Sequence, residues 1–167
     1  MADTVTYEPI ATYTFPSNGT FTFSNISGAY TDLRIVCNIK STAGGMSFNP
    51  NNTSSSIFSM TYLRGNGSAA SSTRLSTADL GGTGYYLFNG AVSTTNFETV
   101  TIDLLNYSNT TTYKTVLVRF NNSTSWVGAA VGLAQTTSAI TSLVFGFDGG
   151  GSYVSGSTIT IYGIKAA

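Results

Sequence analysis

Apolar and polar residues alternate along most of this chain. A period of two marks strands, whose successive side chains point to opposite faces. The clearest run is residues 158–164, where Thr158, Thr160 and Tyr162 face one way and Ile159 and Ile161 the other. It reads as a closing strand that pairs inside a sheet, with the two isoleucines in the core. Residues 30–40 set Leu33, Ile35, Cys37 and Ile39 against Asp32, Arg34, Asn38 and Lys40. In residues 98–106, Val100, Ile102 and Leu104 share a face; in residues 113–122, Val116, Val118 and Phe120 do. Residues 109–112 connect these two runs as a hairpin that leaves Leu105, Leu117 and Arg119 on its other face. Shorter strands are predicted at 20–24, 46–48, 58–64, 85–88, 126–133 and 140–147. Residues 7–15 alternate weakly around Pro9, which predicts an edge position or an irregular start.

Turn chemistry separates these runs: Pro16-Ser-Asn-Gly19, Asn25-Ile-Ser-Gly28, residues 121–125, Asp148-Gly-Gly-Gly151 and Ser155-Gly-Ser157. Residues 1–9 read as a loose N-terminal arm, and residues 10–167 as a single domain. Residues 41–56 are rich in Gly, Asn and Ser. Residues 65–84 read as a long polar loop without a regular period, of the kind that is usually functional or mobile. No stretch has a period of 3.6, and no internal repeat is present. The expectation is an all-β fold: an antiparallel, jelly-roll-like β-sandwich of about nine or ten strands.

Composition narrows the function. Charged residues make up 8% of the 167, against roughly 25% in ordinary soluble proteins. The polar surface is therefore built from Ser, Thr, Asn and Gly, and a neutral surface of this kind favours packing against others. Seven basic and seven acidic residues balance, so no basic field is available for nucleic acid. No run of about 18 apolar residues crosses a membrane. No apolar leader follows the polar Met1-Ala-Asp-Thr4, so synthesis in a host cytoplasm is expected.

Candidate chemistry is sparse. The chain has no His, which removes Ser-His-Asp and Cys-His arrangements and the common zinc sites. Cys37 reads as a buried apolar side chain. The Gly149–Gly151 run lacks the Lys-Ser/Thr pair of a phosphate-binding loop and sits between strands. A glycosidase would need two carboxylates held about 5–9 Å apart. Among Asp32, Glu98, Asp103 and Asp148, the pair Glu98 and Asp103 falls on opposite faces of one strand. All four read as surface carboxylates. Asp148 and Asp79 are the two positions suggestive of calcium, but without the acidic density it needs. No catalytic residue, metal or cofactor is expected. The sequons at Asn18, Asn25, Asn66 and Asn109 read as chance in so Asn- and Ser-rich a chain. Tyr85, Tyr86, Trp126 and Tyr153 have the amphipathic rings that stack on sugars, although core or interface anchoring is the simpler use.

The residues Tyr13-Thr-Phe15, Phe21-Thr-Phe-Ser-Asn-Ile26, Tyr30-Thr-Asp-Leu-Arg-Ile35, Asn106-Tyr-Ser-Asn-Thr110, Tyr113-Lys-Thr115 and Ala139-Ile-Thr-Ser-Leu143 form a pattern with the ending Ser155-Gly-Ser-Thr-Ile-Thr-Ile-Tyr-Gly-Ile-Lys-Ala. The pattern resembles small virion structural proteins of tailed phages, especially marine and cyanobacterial ones. The resemblance implies a β-sandwich and no catalytic motif. It implies a place in the virion, on the head or at the end of a tail fibre; the single domain, neutral polar surface and N-terminal arm then favour a capsid decoration (cement) protein on the outer capsid surface. Such a protein binds the major capsid protein and itself, as a homotrimer. The alternative is a tail-fibre or receptor-binding module that recognises host surface glycan. Candidate partner-binding residues are Tyr7, Glu8 and Pro9 in the arm, with Tyr85, Tyr86 and Trp126. The loops at 41–56 and 65–84 are candidate contact segments.

Overall fold

Every regular element is a β-strand in the computed structural model, which describes residues 6–55, 57–75, 85–86, 92–123, 126–147 and 150–165. The strands are β1 (Tyr7–Thr14), β2 (Phe21–Phe23), β3 (Asp32–Ile39), β4 (Met46–Pro50), β5 (Phe58–Gly65) and β6 (Ala70–Leu75), then β7 (Tyr85–Tyr86), β8 (Glu98–Leu105), β9 (Lys114–Asn122), β10 (Trp126–Ala134), β11 (Leu143–Phe147) and β12 (Thr158–Ile164). They form an eight-stranded sheet, β1-β12-β3-β8-β9-β10-β5-β6, and a four-stranded sheet, β2-β11-β4-β7. All the pairings are antiparallel.

The strand order contains a jelly roll. The chain crosses from one sheet to the other between β1, β2, β3 and β4. It crosses again on entering β7, β8, β11 and β12. The quartets β1-β12-β3-β8 and β2-β11-β4-β7 are the two sheets of that fold. The strand pairs β5-β6 and β9-β10 are insertions, and both extend the first quartet. The excess over the nine or ten strands expected from the alternation lies partly here.

The core between the sheets follows from the alternation. Leu33, Ile35, Cys37 and Ile39 of β3, Val100, Ile102 and Leu104 of β8, and Ile159 and Ile161 of β12 are all buried. They meet Phe23, Phe48 and Phe145 from the small sheet, where Phe145 lies edge-on to Phe23 and tilted against Phe48. As expected, β12 closes the sheet from inside, between β1 and β3. Likewise β8 and β9 form the predicted hairpin.

Two expectations are corrected. Residues 7–9 are not part of a loose arm: Tyr7, Glu8 and Pro9 pair with Ile164, Gly163 and Tyr162. Pro9 is tolerated because β1 is the outermost strand, and the register shifts between Pro9 and Ala11 as a bulge. The long loop at 65–84 is also partly a strand. Residues 70–75 pair with β5 from Met60 to Gly65, and β6 escaped prediction because Ala-Ser-Ser-Thr-Arg-Leu has no apolar alternation. Residues 76–84 lie outside the described residues.

Candidate functional site

The outer face of the inserted strands gathers exposed aliphatic side chains, while Tyr7, Phe97 and Tyr113 are exposed singly elsewhere. In β9, Leu117 and Arg119 point away from the core side chains Val116, Val118 and Phe120. In β10, Val127, Ala129 and Val131 point the same way, as do Thr61 and Leu63 of β5 and Ser72 and Arg74 of β6. Register sets them in cross-strand rows. One row runs Leu117, Val131, Thr61, Arg74, and the next runs Arg119, Ala129, Leu63, Ser72. The exposures are 61% for Leu63, 63% for Val127, 55% for Val131 and 38% for Leu117. Elsewhere the same face of this sheet carries threonines, Asn38 and the Arg34–Asp103 pair, with Val36, Leu105 and Tyr162 half-buried among them.

The second row borders a shallow trough of about 780 Å³, with Leu63, Val127 and Arg119 around the small residues Gly65, Ala70 and Ala129, while Thr61, Val131 and Arg74 of the first row line a smaller depression beside it. Small residues side by side on neighbouring strands leave the trough; bulkier ones would fill it. Among the described residues, the charge of this face is one-sided. Arg74 and Arg119 have no ion pair among the described residues, whereas every described carboxylate is engaged elsewhere. Asp103 forms a two-pronged pair with Arg34, and Glu8 lies 3.2 Å from Lys165. Asp32 accepts the Asn106 N–H at 2.7 Å.

Glu98 overturns its reading as a surface carboxylate. It is buried and accepts the backbone N–H of Ser93 at 3.0 Å and of Ser123 at 2.6 Å. It therefore ties two loops together at the end of the β8-β9 hairpin. The expected opposition of Glu98 and Asp103 holds, because Asp103 lies on the outer face. Lys114 is the converse case. Its alternation shares a face with Val116, and its ammonium donates to the carbonyls of Asn109, Thr112, Thr137 and Thr136, at 2.5, 2.7, 3.2 and 3.4 Å. Burial pushes its pKa below the ordinary lysine value.

The candidate partner residues fall in separate places. Tyr7 is 39% exposed on the edge strand, with the Arg34 guanidinium over its ring and Tyr162 alongside. Trp126 meets Phe120 edge-on and carries the Arg64 guanidinium over its ring, so that ring face is already covered. Tyr153 is fully buried, stacked on Phe15. Tyr85 and Tyr86 form β7 beside β4, and their side chains lie outside the described residues, as do Asp79 and Asp148. Residues 41–56 contain β4, with Met46 and Phe48 in the core. Among the described residues, no group of three His, Cys, Asp or Glu is placed to hold a metal ion. Among the described residues, no helix is long and apolar enough to cross a membrane.

The alternation had placed Leu117 and Arg119 away from the core. Leu63, Arg74, Val127 and Val131 were not singled out. The one available signal was β10 itself, Trp-Val-Gly-Ala-Ala-Val-Gly-Leu-Ala, which is apolar on both faces although only one packs on the core. In comparisons with known proteins, no family model matches this chain and no curated protein matches it.

Proposed function

We propose that this chain is a non-catalytic virion structural protein of the tailed-phage kind, a capsid decoration protein. In this reading it docks on the outer shell, contacts the major capsid protein and bridges neighbouring shell subunits. The observation that carries the reading is the exposed aliphatic face on β5, β6, β9 and β10. Those strands are added to a jelly roll that is complete without them, and an open, apolar, arginine-bearing sheet surface suits attachment to another protein. The sequence resemblance points the same way. Four strands spaced by ~4.8 Å and about eight residues long give a face of roughly 500 Å². That is somewhat below the ~800 Å² that each partner contributes to a standard interface. Attachment in many copies, or as a homotrimer, compensates through multivalency.

Particles lacking the protein test the reading. They should assemble and then leak their genome under heat or osmotic shock, and purified protein added back should restore them. The copy number per particle should be in the hundreds, as the repeated shell geometry requires. Intact particles that fail to adsorb to cells, with few copies per particle, would replace this reading with a tail-fibre one.

A further inference from the structure

We propose that the trough on β5, β6, β9 and β10 receives an acidic protein loop: an apolar side chain seated over Ala129 and Gly65, with a neighbouring carboxylate held by Arg119 and a second one by Arg74. The proposal rests on the docking reading above and names the partner's chemistry.

Charge complementarity selects the occupant. Arg119 lies beside Ala129 across the β9-β10 pair, at the rim of the trough. Arg74 closes the next row, beyond Val131 and Thr61. A guanidinium next to aliphatic surface suits a carboxylate, which it grips through two parallel N–H donors. Asp103, which faces Leu117 across the β8-β9 pair, is neutralised by Arg34, so no described carboxylate compensates the two arginines. A second copy fits less well. A two-fold contact of this face would bury about 1,000 Å² in total, at the lower limit for a stable pair. It would also bring the arginines of both copies together without a described carboxylate between them. Nucleic acid fits less well again, since the centre of the face is Leu and Val without a ring for base stacking.

The test uses the full-length, isotopically labelled chain and NMR. The probe is a short soluble peptide with one leucine between two glutamates. Its control has glutamines in place of the glutamates. The glutamate peptide should shift the signals of Leu63, Ala129, Val127 and Arg119, and bind about tenfold or more tightly than the control, with affinity falling as salt rises. Arg119→Glu combined with Arg74→Glu should remove binding. Ala129→Phe should too, because it fills the trough from the solvent side and leaves the core signals in place.

Equal binding of the two peptides, or no shift at these residues, overturns the proposal. So does concentration-dependent shifting of the same residues without peptide, which marks a second copy. Stronger shifts with duplex DNA or with anionic lipid vesicles also overturn it. Shells stripped of the protein separate the two readings. Shell binding that is indifferent to the Arg119→Glu and Ala129→Phe changes refutes the acidic loop and leaves the decoration role standing. Peptide binding without shell binding does the reverse.

Discussion

Lys114 shows how a single side chain can replace a loop's missing hydrogen bonds. Its ammonium gathers carbonyls from residues 109–112 and from residues 136–137, two loops at one end of the sheet. Lys114→Met keeps the apolar stem and strands those acceptors, so it should cost roughly 2–4 kcal/mol in urea denaturation. Tyr153 is the opposite case: its hydroxyl is buried with no hydrogen-bond partner among the described residues. Tyr153→Phe removes an unsatisfied group, and should be neutral or stabilising by about 1 kcal/mol.

Three buried acids set the alkaline limit. Burial raises the pKa of Cys37, Tyr107 and Tyr153 above the ordinary 9.0 for the thiol and 10.0 for the phenols. Their stabilising contribution is complete below those ordinary values. It is lost as pH rises through the folded-state ones, because the unfolded chain ionises first. Melting temperature should therefore begin to fall above pH 9.0 and fall more steeply above 10.0, and Cys37→Ala should delay the onset toward 10.0. Lys114, with its pKa lowered, acts in the other direction, so the alkaline loss should be sharper in Lys114→Met. At this scale the sequence was partly legible. Cys37 was readable as core from its neighbours, whereas Glu98 and Lys114 were not. A buried charge depends on which loops fold over it, and strand periodicity carries no record of that.

Among the elements, the pairing of β12 with its neighbours depends on a glycine. A side chain at Gly163 would fall onto the Tyr30 ring, which lies across the strand there. Gly163→Ala should cost about 1–3 kcal/mol by overpacking. In a Tyr30→Ala background the same change should cost little, and a double-mutant cycle by denaturation would read the coupling. The strongest strands, β3, β8, β9 and β12, were legible because one face of each is core and the other polar. Of the edges, β1 was legible through Pro9, which marked residues 7–15 as an edge or irregular strand, whereas β6 has almost no apolar residue to betray it. The trough was illegible for a related reason: it needs Leu63 next to Ala129, a pairing of β5 with β10 that no local pattern encodes.

For the whole molecule, the division between a jelly roll and its insertions organises the account. The quartets bury the large aromatic and aliphatic residues, while the inserted strands widen one sheet and expose Leu63, Leu117, Val127 and Val131 on its outer side. The face is open and shallow, with its two arginines uncompensated among the described residues, and the proposed docking rests on this geometry. A density map of the intact particle tests this most directly. The account predicts many copies on the outer shell, each with the β5, β6, β9 and β10 face turned onto acidic loops of the shell protein. Copies whose inserted strands face solvent, or copies confined to the tail, would contradict it.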